Sequence, residues 1–226
     1  MRVLYVCTAN ICRSASAEAM LRDAGVHGVE VMSAGTLAAS GSPGCPMAPA
    51  LEGRATQHRS QRLTQEMITA ADLVLTAARE HGSEVLAAQP AARSRTFTIR
   101  QSGRLARWVL DMGLVDAARL RQQDPQGWAE AIAEGDPRRQ VAPLPADEAA
   151  RTRWLVEELD AARGMAPAPV PEAPVRKRGR RAADPEVHPD DVPDPHVLGT
   201  GWHGPAYEQI REATGDLVAV LRAISP

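Results

Sequence analysis

The first fourteen residues constrain the fold more than any other stretch of the chain. An apolar run at residues 3–6 predicts a buried strand, and the alanine-rich run after Ser14 predicts a helix with Ser14 as its cap. Cys7 then ends the strand and Arg13 lies where the helix begins. The residues between them must turn tightly, which brings their backbone N–H groups towards one point. A buried strand that turns directly into a helix is typical of α/β folds.

This turn has the composition of an anion site that contains a nucleophile. A helix N-terminus offers unpaired N–H donors and partial positive charge, which bind phosphate-like anions and favour the thiolate form of Cys7. The guanidinium of Arg13 can hold two oxygens of a tetrahedral anion at once. Together these groups predict attack of sulfur on phosphorus. The alternative reading is that Cys7 is only a small buried residue on an apolar strand.

Strands and helices alternate along most of the chain. After the first strand, further strands are predicted at residues 29–33, 71–76 and 96–99. Helices are predicted at residues 14–24, 77–88, 103–113, 116–123, 146–163 and 205–224. This order predicts a small doubly wound sheet of four parallel strands with helices on both faces, and a ligand site at the end of the first strand.

Composition narrows the class of protein. A length of 226 residues suits one domain, at residues 1–226, with an insertion. The net charge of −2 argues against a globally basic nucleic-acid binder. No apolar run reaches the ~18 residues that a membrane span needs. The three cysteines show no disulfide spacing and the N-terminus lacks a signal-peptide pattern, so we expect a reduced, cytoplasmic protein.

One region departs from the α/β pattern. Residues 165–193 are rich in proline and predict a mobile loop. An insertion is predicted at about residues 138–189, which covers most of this loop and the helix predicted at 146–163. A basic run extends from Arg176 to Arg181. It is either a solvated surface loop or a docking segment for an acidic partner, because clustered positive charge binds polyanions.

Phosphoryl transfer to a thiolate releases an alkoxide or phenoxide, which a nearby carboxylic acid should protonate. The chain has Asp-Pro pairs at Asp124, Asp136, Asp184 and Asp194, and proline restrains the backbone beside each carboxylate. Asp194 is the predicted proton donor, because it lies in Asp-Val-Pro-Asp-Pro just before the final helix. The other three are predicted to be turns or linker.

These residues together resemble the low-molecular-weight protein tyrosine phosphatases. The resemblance rests on residues 3–14, Ser33-Ala34-Gly35-Thr36, His58, the strand at 72–75, and residues 190–195 with the closing helix. It implies a phosphotyrosine phosphatase I-like fold and a reaction without metal or other cofactor. By resemblance, Cys7 is the nucleophile, Arg13 binds phosphate and stabilises the transition state, and Asp194 is general acid and then base.

The resemblance also implies a phosphate-binding loop, whose further members are Thr8, Ala9, Asn10, Ile11, Cys12 and Ser14. Asn10 would hold the loop conformation with His58 as its partner, and Ser14 would donate to the Cys7 thiolate. Cys12 would be the neighbouring thiol that forms a protective disulfide with Cys7 under oxidation.

The chain departs from the family pattern at several positions. Ala9 replaces the usual glycine before the loop asparagine, which predicts a strained backbone angle there. His196 and Val197 stand where the family often has tyrosines, which reduces ring stacking against phosphotyrosine. Trp202 and Tyr207 are the aromatic residues that could replace that contact.

The leading hypothesis is a phosphatase acting on a phosphorylated protein, first of all on phosphotyrosine, or on a small phosphate ester. One alternative is a thiol-dependent arsenate reductase, whose relay would need Cys12 and then Cys45, although Cys45 is expected on a surface loop. The other is a phospho-binding regulatory protein without turnover. The sequence does not indicate an oligomeric state.

Overall fold

A computed structural model describes residues 1–169 and 187–225. Its strands are Arg2–Cys7 (β1), Glu30–Gly35 (β2), Leu73–Thr76 (β3) and Thr96–Thr98 (β4). They form one parallel sheet in the order β2-β1-β3-β4. The predicted four-stranded, doubly wound sheet is therefore confirmed. The strand order reverses at β1, so the carboxyl end of β1 is the switch point at which such folds bind ligands.

Helices surround the sheet. The described α-helices are Arg13–Asp23 (α1), Gln65–Ala70 (α2), Arg79–Ala88 (α3), Ile99–Asp111 (α4), Leu114–Gln123 (α5), Pro125–Ala131 (α6), Glu148–Ala162 (α7), Pro195–Leu198 (α8) and His203–Ile224 (α9). Short 3₁₀ turns lie at Pro49–Leu51, Ala55–Gln57, Pro90–Arg95, Pro137–Arg139 and Thr200–Trp202. The predicted fourth strand is one residue too long, because the Thr98 hydroxyl accepts the N–H of Gln101 at 3.1 Å and caps α4 at Ile99.

The apolar run of β1 is buried because helices cover both faces of the sheet. Val3 and Tyr5 point into the main core with α1, α4 and α9, whereas Leu4 and Val6 point into a smaller core with α2 and α3. Successive side chains of a strand face opposite sides, so a strand covered on both faces must be apolar throughout. This burial fixes β1, and with it the position of Cys7 at its end.

The helix in the predicted insertion belongs to the main core. Trp154, Leu155 and Leu159 of α7 are buried there, and the Trp154 indole N–H donates to the Ala142 carbonyl at 3.0 Å.

A single domain at residues 1–226 stays a prediction. The basic run at 176–181 and Asp184 lie outside the described residues. Within the described part of the chain, no helix is long and apolar enough to cross a membrane.

The predicted role of Ser14 as a helix cap is wrong. Helix α1 begins one residue earlier, at Arg13, and Cys12 occupies the capping position without a side-chain hydrogen bond. Ser14 lies inside the first turn and directs its hydroxyl to Cys7 and Asn10. The N–H groups of that first turn therefore receive no capping side chain, which leaves them available to an anion.

Candidate active site

Cys7 lies buried at the end of β1, on the floor of the phosphate loop, which comprises residues 7–14. Its sulfur lies 3.0 Å from the Ser14 hydroxyl oxygen and accepts the backbone N–H of Asn10 at 3.3 Å. A thiolate is an acceptor only, so the Ser14 hydroxyl donates to it once Cys7 is ionised. Both contacts can therefore be kept when sulfur acts as a nucleophile.

Asn10 ties the loop to two neighbouring segments and to its own last residue. Its side-chain amide donates to the Ser14 hydroxyl at 3.0 Å and to the Ser33 hydroxyl at 2.7 Å. Its side-chain oxygen accepts the N–H of Gln61 at 2.9 Å, and His58 Nε2 donates to its carbonyl at 2.6 Å. The structure thus brings His58 to Asn10, as the resemblance implied, and the fully buried Asn10 side chain holds the loop closed.

The strain expected at Ala9 is not found there. Asn10, with φ 56°, is the non-glycine residue that adopts positive φ within residues 1–169 and 187–225. Asparagine tolerates the left-handed region better than most side chains, so this loop does not need glycine at residue 9. Glycine is needed instead at Gly35, where a Cβ would lie 2.6 Å from the Thr8 carbonyl oxygen.

Arg13 is almost completely buried, and its guanidinium lies against the loop. Nη1 donates to the Val192 carbonyl at 3.3 Å and Nη2 donates to the Thr8 hydroxyl at 3.2 Å. Nη2 also forms an ion pair with Asp194 Oδ2. The structure therefore brings the predicted arginine and the predicted acid into contact from opposite ends of the chain.

The segment that carries Asp194 is anchored on the carboxyl ends of β3 and β4. The Thr98 hydroxyl donates to the Asp190 carbonyl at 2.6 Å, and the Val192 N–H donates to the Ala77 carbonyl at 2.8 Å. Because the carboxyl ends of parallel strands meet at one edge of the sheet, these bonds deliver the segment to the edge where Cys7 lies.

Asp194 has a second contact besides Arg13. It is the N-cap of α8, where its Oδ1 accepts the N–H of His196 at 3.0 Å. The described members of the other Asp-Pro pairs behave as the predicted turns: Asp124 caps α6, and Asp136 caps the 3₁₀ turn that follows it.

The sequence analysis missed His81, which is buried behind the phosphate loop. Its Nδ1 accepts the N–H of Ala78 at 3.1 Å, so Nε2 carries the hydrogen and donates to the Thr8 hydroxyl at 2.9 Å. Thr8 in turn accepts from Arg13. Burial first, and then the positive charge of Arg13, lower the pKa of His81 from 6.5 to about 4. The position of His81 in the first turn of α3 was the available signal.

We expect the low pKa of His81 to make folding stability depend on pH. Between pH 6.5 and 4 the imidazole is protonated in the unfolded chain but neutral in the folded chain, so the unfolded state binds more protons. The free energy of unfolding should therefore fall by up to about 3 kcal/mol as the pH is lowered through this range. Urea unfolding of the wild type and of His81→Gln at pH 7, 6, 5 and 4 measures this difference.

The matched control is His27→Gln, because His27 is highly exposed. Its pH dependence should match that of the wild type, whereas His81→Gln should lose part of the slope. Equal slopes in the wild type and His81→Gln would contradict the assignment of a neutral His81.

Cys12 packs in a small apolar cluster that also contains Cys45. The prediction that Cys45 lies on a surface is wrong, because it is 5% exposed. Burial, with the neighbouring thiols of Cys45 and Cys7, raises the pKa of Cys12 to about 12. All three cysteines are free thiols, and a Cys7–Cys12 disulfide stays a prediction.

Comparison with known proteins identifies relatives of this chain among the phosphatases. A profile of the low molecular weight phosphotyrosine protein phosphatase family matches residues 2–107, a range that includes the phosphate loop but not Asp194. A protein-arginine-phosphatase of Geobacillus stearothermophilus is 40% identical over 103 residues, covering 44% of this chain and 70% of that protein. A probable low molecular weight protein-tyrosine-phosphatase of Ralstonia solanacearum is 33% identical over 141 residues, covering 58% of this chain and 94% of that protein.

Solved structures agree on the fold. The structure of Wzb from Vibrio vulnificus in complex with benzylphosphonate has a TM-score of 0.52 and 18% sequence identity, over 96% of this chain and 97% of that chain. The family profile and the sequence relatives confirm the resemblance predicted from the sequence. This chain belongs to the low molecular weight phosphotyrosine protein phosphatase family.

Proposed function

We propose that this phosphatase hydrolyses phosphate monoesters through a phosphocysteine intermediate. In the first step the Cys7 thiolate forms a bond to phosphorus while the bond to the leaving oxygen breaks, and Asp194 gives that oxygen its proton. In the second step water attacks phosphorus, Asp194 accepts a proton from the water, and the bond to sulfur breaks. The observation that supports this proposal is the meeting of Cys7, Arg13 and Asp194 at one edge of the sheet.

Arg13 and the phosphate loop would stabilise the negative charge on the phosphoryl group during its transfer. Arg13 binds two of the non-bridging oxygens, and the N–H groups at the start of α1 bind the phosphoryl group along the helix axis. These donors are held in place before substrate arrives, because Asn10 ties the loop to its neighbours. A preorganised site loses little free energy in reorganisation during the reaction.

Asp194 competes with substrate for Arg13 in this conformation. The ion pair between their side chains engages Nη2 of the guanidinium that phosphate oxygens would bind. We infer that substrate binding displaces Asp194 Oδ2 from Arg13 and leaves the carboxyl group beside the leaving oxygen. His81 then acts as a positioning residue, because it holds the Thr8 hydroxyl against the Arg13 guanidinium.

We propose phosphotyrosine in proteins as the substrate. Val197 is 79% exposed and lies three residues after Asp194, and Leu37 is 63% exposed, with its N–H bonded to the Thr8 carbonyl at 2.8 Å. Exposed apolar side chains at the rim of the site suit an aromatic ring better than a charged guanidinium. Val197 and Leu37 would therefore supply the apolar contact that tyrosines at residues 196 and 197 often make in the family. The relatives named above are a tyrosine phosphatase and an arginine phosphatase, so both substrates need testing.

Two peptides of the same sequence, one with phosphotyrosine and one with phosphoarginine, separate these substrates. With reductant and chelator present, we expect kcat/KM to be at least about tenfold higher for phosphotyrosine, a difference of ~1.4 kcal/mol in transition-state binding. A preference for phosphoarginine would overturn the substrate but keep the phosphatase. Binding of inorganic phosphate without turnover of either peptide would overturn the phosphatase and favour a binding protein.

The same preparation should be assayed for arsenate reduction with a thiol donor. Arsenate reductase is not favoured, because the relatives are phosphatases.

We propose a cytoplasmic location, since the Cys7 thiolate must stay reduced to act as a nucleophile.

A further inference from the structure

Four side chains with metal-ligating atoms meet beside the phosphate loop. They are Cys12 in the loop, Cys45, His196 in α8 and His203 at the start of α9, and their ligating atoms all lie within 4.8 Å of one another. The chain has only three cysteines and six histidines, so this one point gathers two of each from four separate segments. The catalytic steps proposed above use none of these four side chains.

Two of the four residues, Cys45 and His203, are held in position by hydrogen bonds. His203 Nδ1 donates to the Thr200 carbonyl at 2.9 Å, which leaves the lone pair on Nε2, and Nε2 lies 3.4 Å from Cys45 Sγ. The Cys45 N–H donates to the Ile11 carbonyl at 2.7 Å and fixes Cys45 against the loop. Cys12, Cys45 and His203 are buried.

His196 completes the cluster from the solvent side. It is exposed, and its ring meets that of His203 edge-on with centroids 5.4 Å apart. An ion would enter past this histidine, which can turn more freely than the three buried side chains. In a tetrahedral Cys₂His₂ site the ligand atoms are about 3.3 to 3.8 Å apart, so only small side-chain movements are required.

We propose that Cys12, Cys45, His196 and His203 form a binding site for Zn²⁺. Two sulfur and two imidazole ligands within 4.8 Å of one another suit zinc, whereas magnesium and calcium require oxygen. Binding replaces the two thiol protons by one divalent cation, so the two thiolates balance its charge and two protons go to solvent. Four protein ligands leave no open position, so the ion has a structural or regulatory role rather than a catalytic one.

The site couples zinc to the phosphatase reaction, a step that rests on the proposed function. His196 follows Asp194 by two residues and donates its N–H to the Asp194 carboxylate, which also contacts Arg13. The four ligands meet in this same conformation. Zinc therefore holds Asp194 on Arg13, and substrate phosphate must compete with that ion pair. The ion should weaken substrate binding.

The first test is metal binding by the full chain, reduced and freed of metal with chelator. Titration with ZnCl₂ against a chromogenic chelator should give one tightly bound ion per chain. Co²⁺ should give the visible bands of a tetrahedral ion together with a sulfur-to-metal charge-transfer band. Cys45→Ser should abolish both signals. His196→Ala, which changes an exposed side chain and so preserves the fold, should weaken zinc binding by at least about tenfold.

Two control variants test whether the ion is held by these four side chains and not elsewhere on the protein. Cys7→Ser should still bind zinc, because Cys7 is not a ligand; loss of binding in Cys7→Ser would assign the ion to the catalytic thiol and overturn the proposal. His27→Ala should also still bind. Two other results would also overturn the proposal. One is a zinc affinity that is the same in wild type, Cys45→Ser and His196→Ala. The other is a protein that takes up no zinc after a Cys12–Cys45 disulfide has been reduced.

The second test measures the coupling through kinetics. One equivalent of Zn²⁺ should raise the KM of the wild type for p-nitrophenyl phosphate by about fivefold or more, and chelator should reverse this. Neither Cys45→Ser nor His196→Ala should respond at the same zinc concentration. An unchanged KM in zinc-loaded wild type would overturn the coupling. The titration measures zinc binding without substrate, so failure of the phosphatase proposal would leave the zinc titration unchanged.

Discussion

Replacing Cys7 by serine should abolish hydrolysis of phosphate esters while leaving inorganic phosphate bound. The serine hydroxyl keeps the size of the side chain but is not ionised at neutral pH, so the nucleophile is lost. Loss of a catalytic nucleophile typically lowers kcat by about 10⁴-fold or more. Arg13 and the N–H groups of α1 remain in place, so phosphate affinity should change little.

Steady-state hydrolysis of p-nitrophenyl phosphate with chelator present measures the first effect, and calorimetric titration with inorganic phosphate measures the second. Cys45→Ser makes the same thiol-to-hydroxyl change at a buried cysteine outside the loop, and it should lose far less activity. Residual turnover in Cys7→Ser within about tenfold of wild type would rule out sulfur as the nucleophile.

The sequence was sufficient to predict the sheet and to single out a candidate site at its edge, because both inferences depend on local patterns. The apolar run of β1 predicted a strand buried on both faces, and alternation with helices predicted parallel pairing. Cys7 and Arg13 lie in one short loop, so their proximity follows from the turn itself. Asp194 was predicted as the proton donor because proline beside a carboxylate just before the last helix is a recognisable local feature.

Contacts between distant segments could not be predicted in the same way. His81 meets Thr8 across 73 positions, and the cluster of Cys12, Cys45, His196 and His203 joins four segments with no spacing in common. Such contacts depend on how the strands are ordered and on how α9 packs, which no local pattern specifies. Cys45 was assigned to a surface because glycine and proline surround it.

Ser14 departs from the usual preference of serine for the N-cap position of a helix. Serine before a helix is normally its cap, and that preference predicted a helix starting after Ser14. Here the hydroxyl is taken up by Cys7 and Asn10, and the helix starts without a side-chain cap. An anion site needs uncapped N–H groups, so the departure from the usual preference marks the functional end of α1.

Replacing Asp194 by asparagine should lower turnover by about 10²- to 10⁴-fold for a phosphotyrosine peptide, because asparagine cannot donate a proton as an acid does. The loss should be smaller for p-nitrophenyl phosphate, since nitrophenolate is a stable leaving group that hardly needs protonation. This dependence on the leaving group distinguishes a general acid from a residue that only supports the fold. Asparagine keeps the oxygen that caps α8, so the segment should remain in position.

The matched control is Asp191→Asn, which removes a carboxylate three residues earlier that accepts the N–H of Arg79 at 2.9 Å. It should affect both esters equally, because Asp191 bonds to the start of α3 and not to Arg13. Asp194→Asn should also bind inorganic phosphate more tightly than wild type, since the ion pair that competes for Arg13 is gone. Equal losses for both esters in Asp194→Asn, together with unchanged phosphate affinity, would assign Asp194 to structure and leave the proton donor elsewhere.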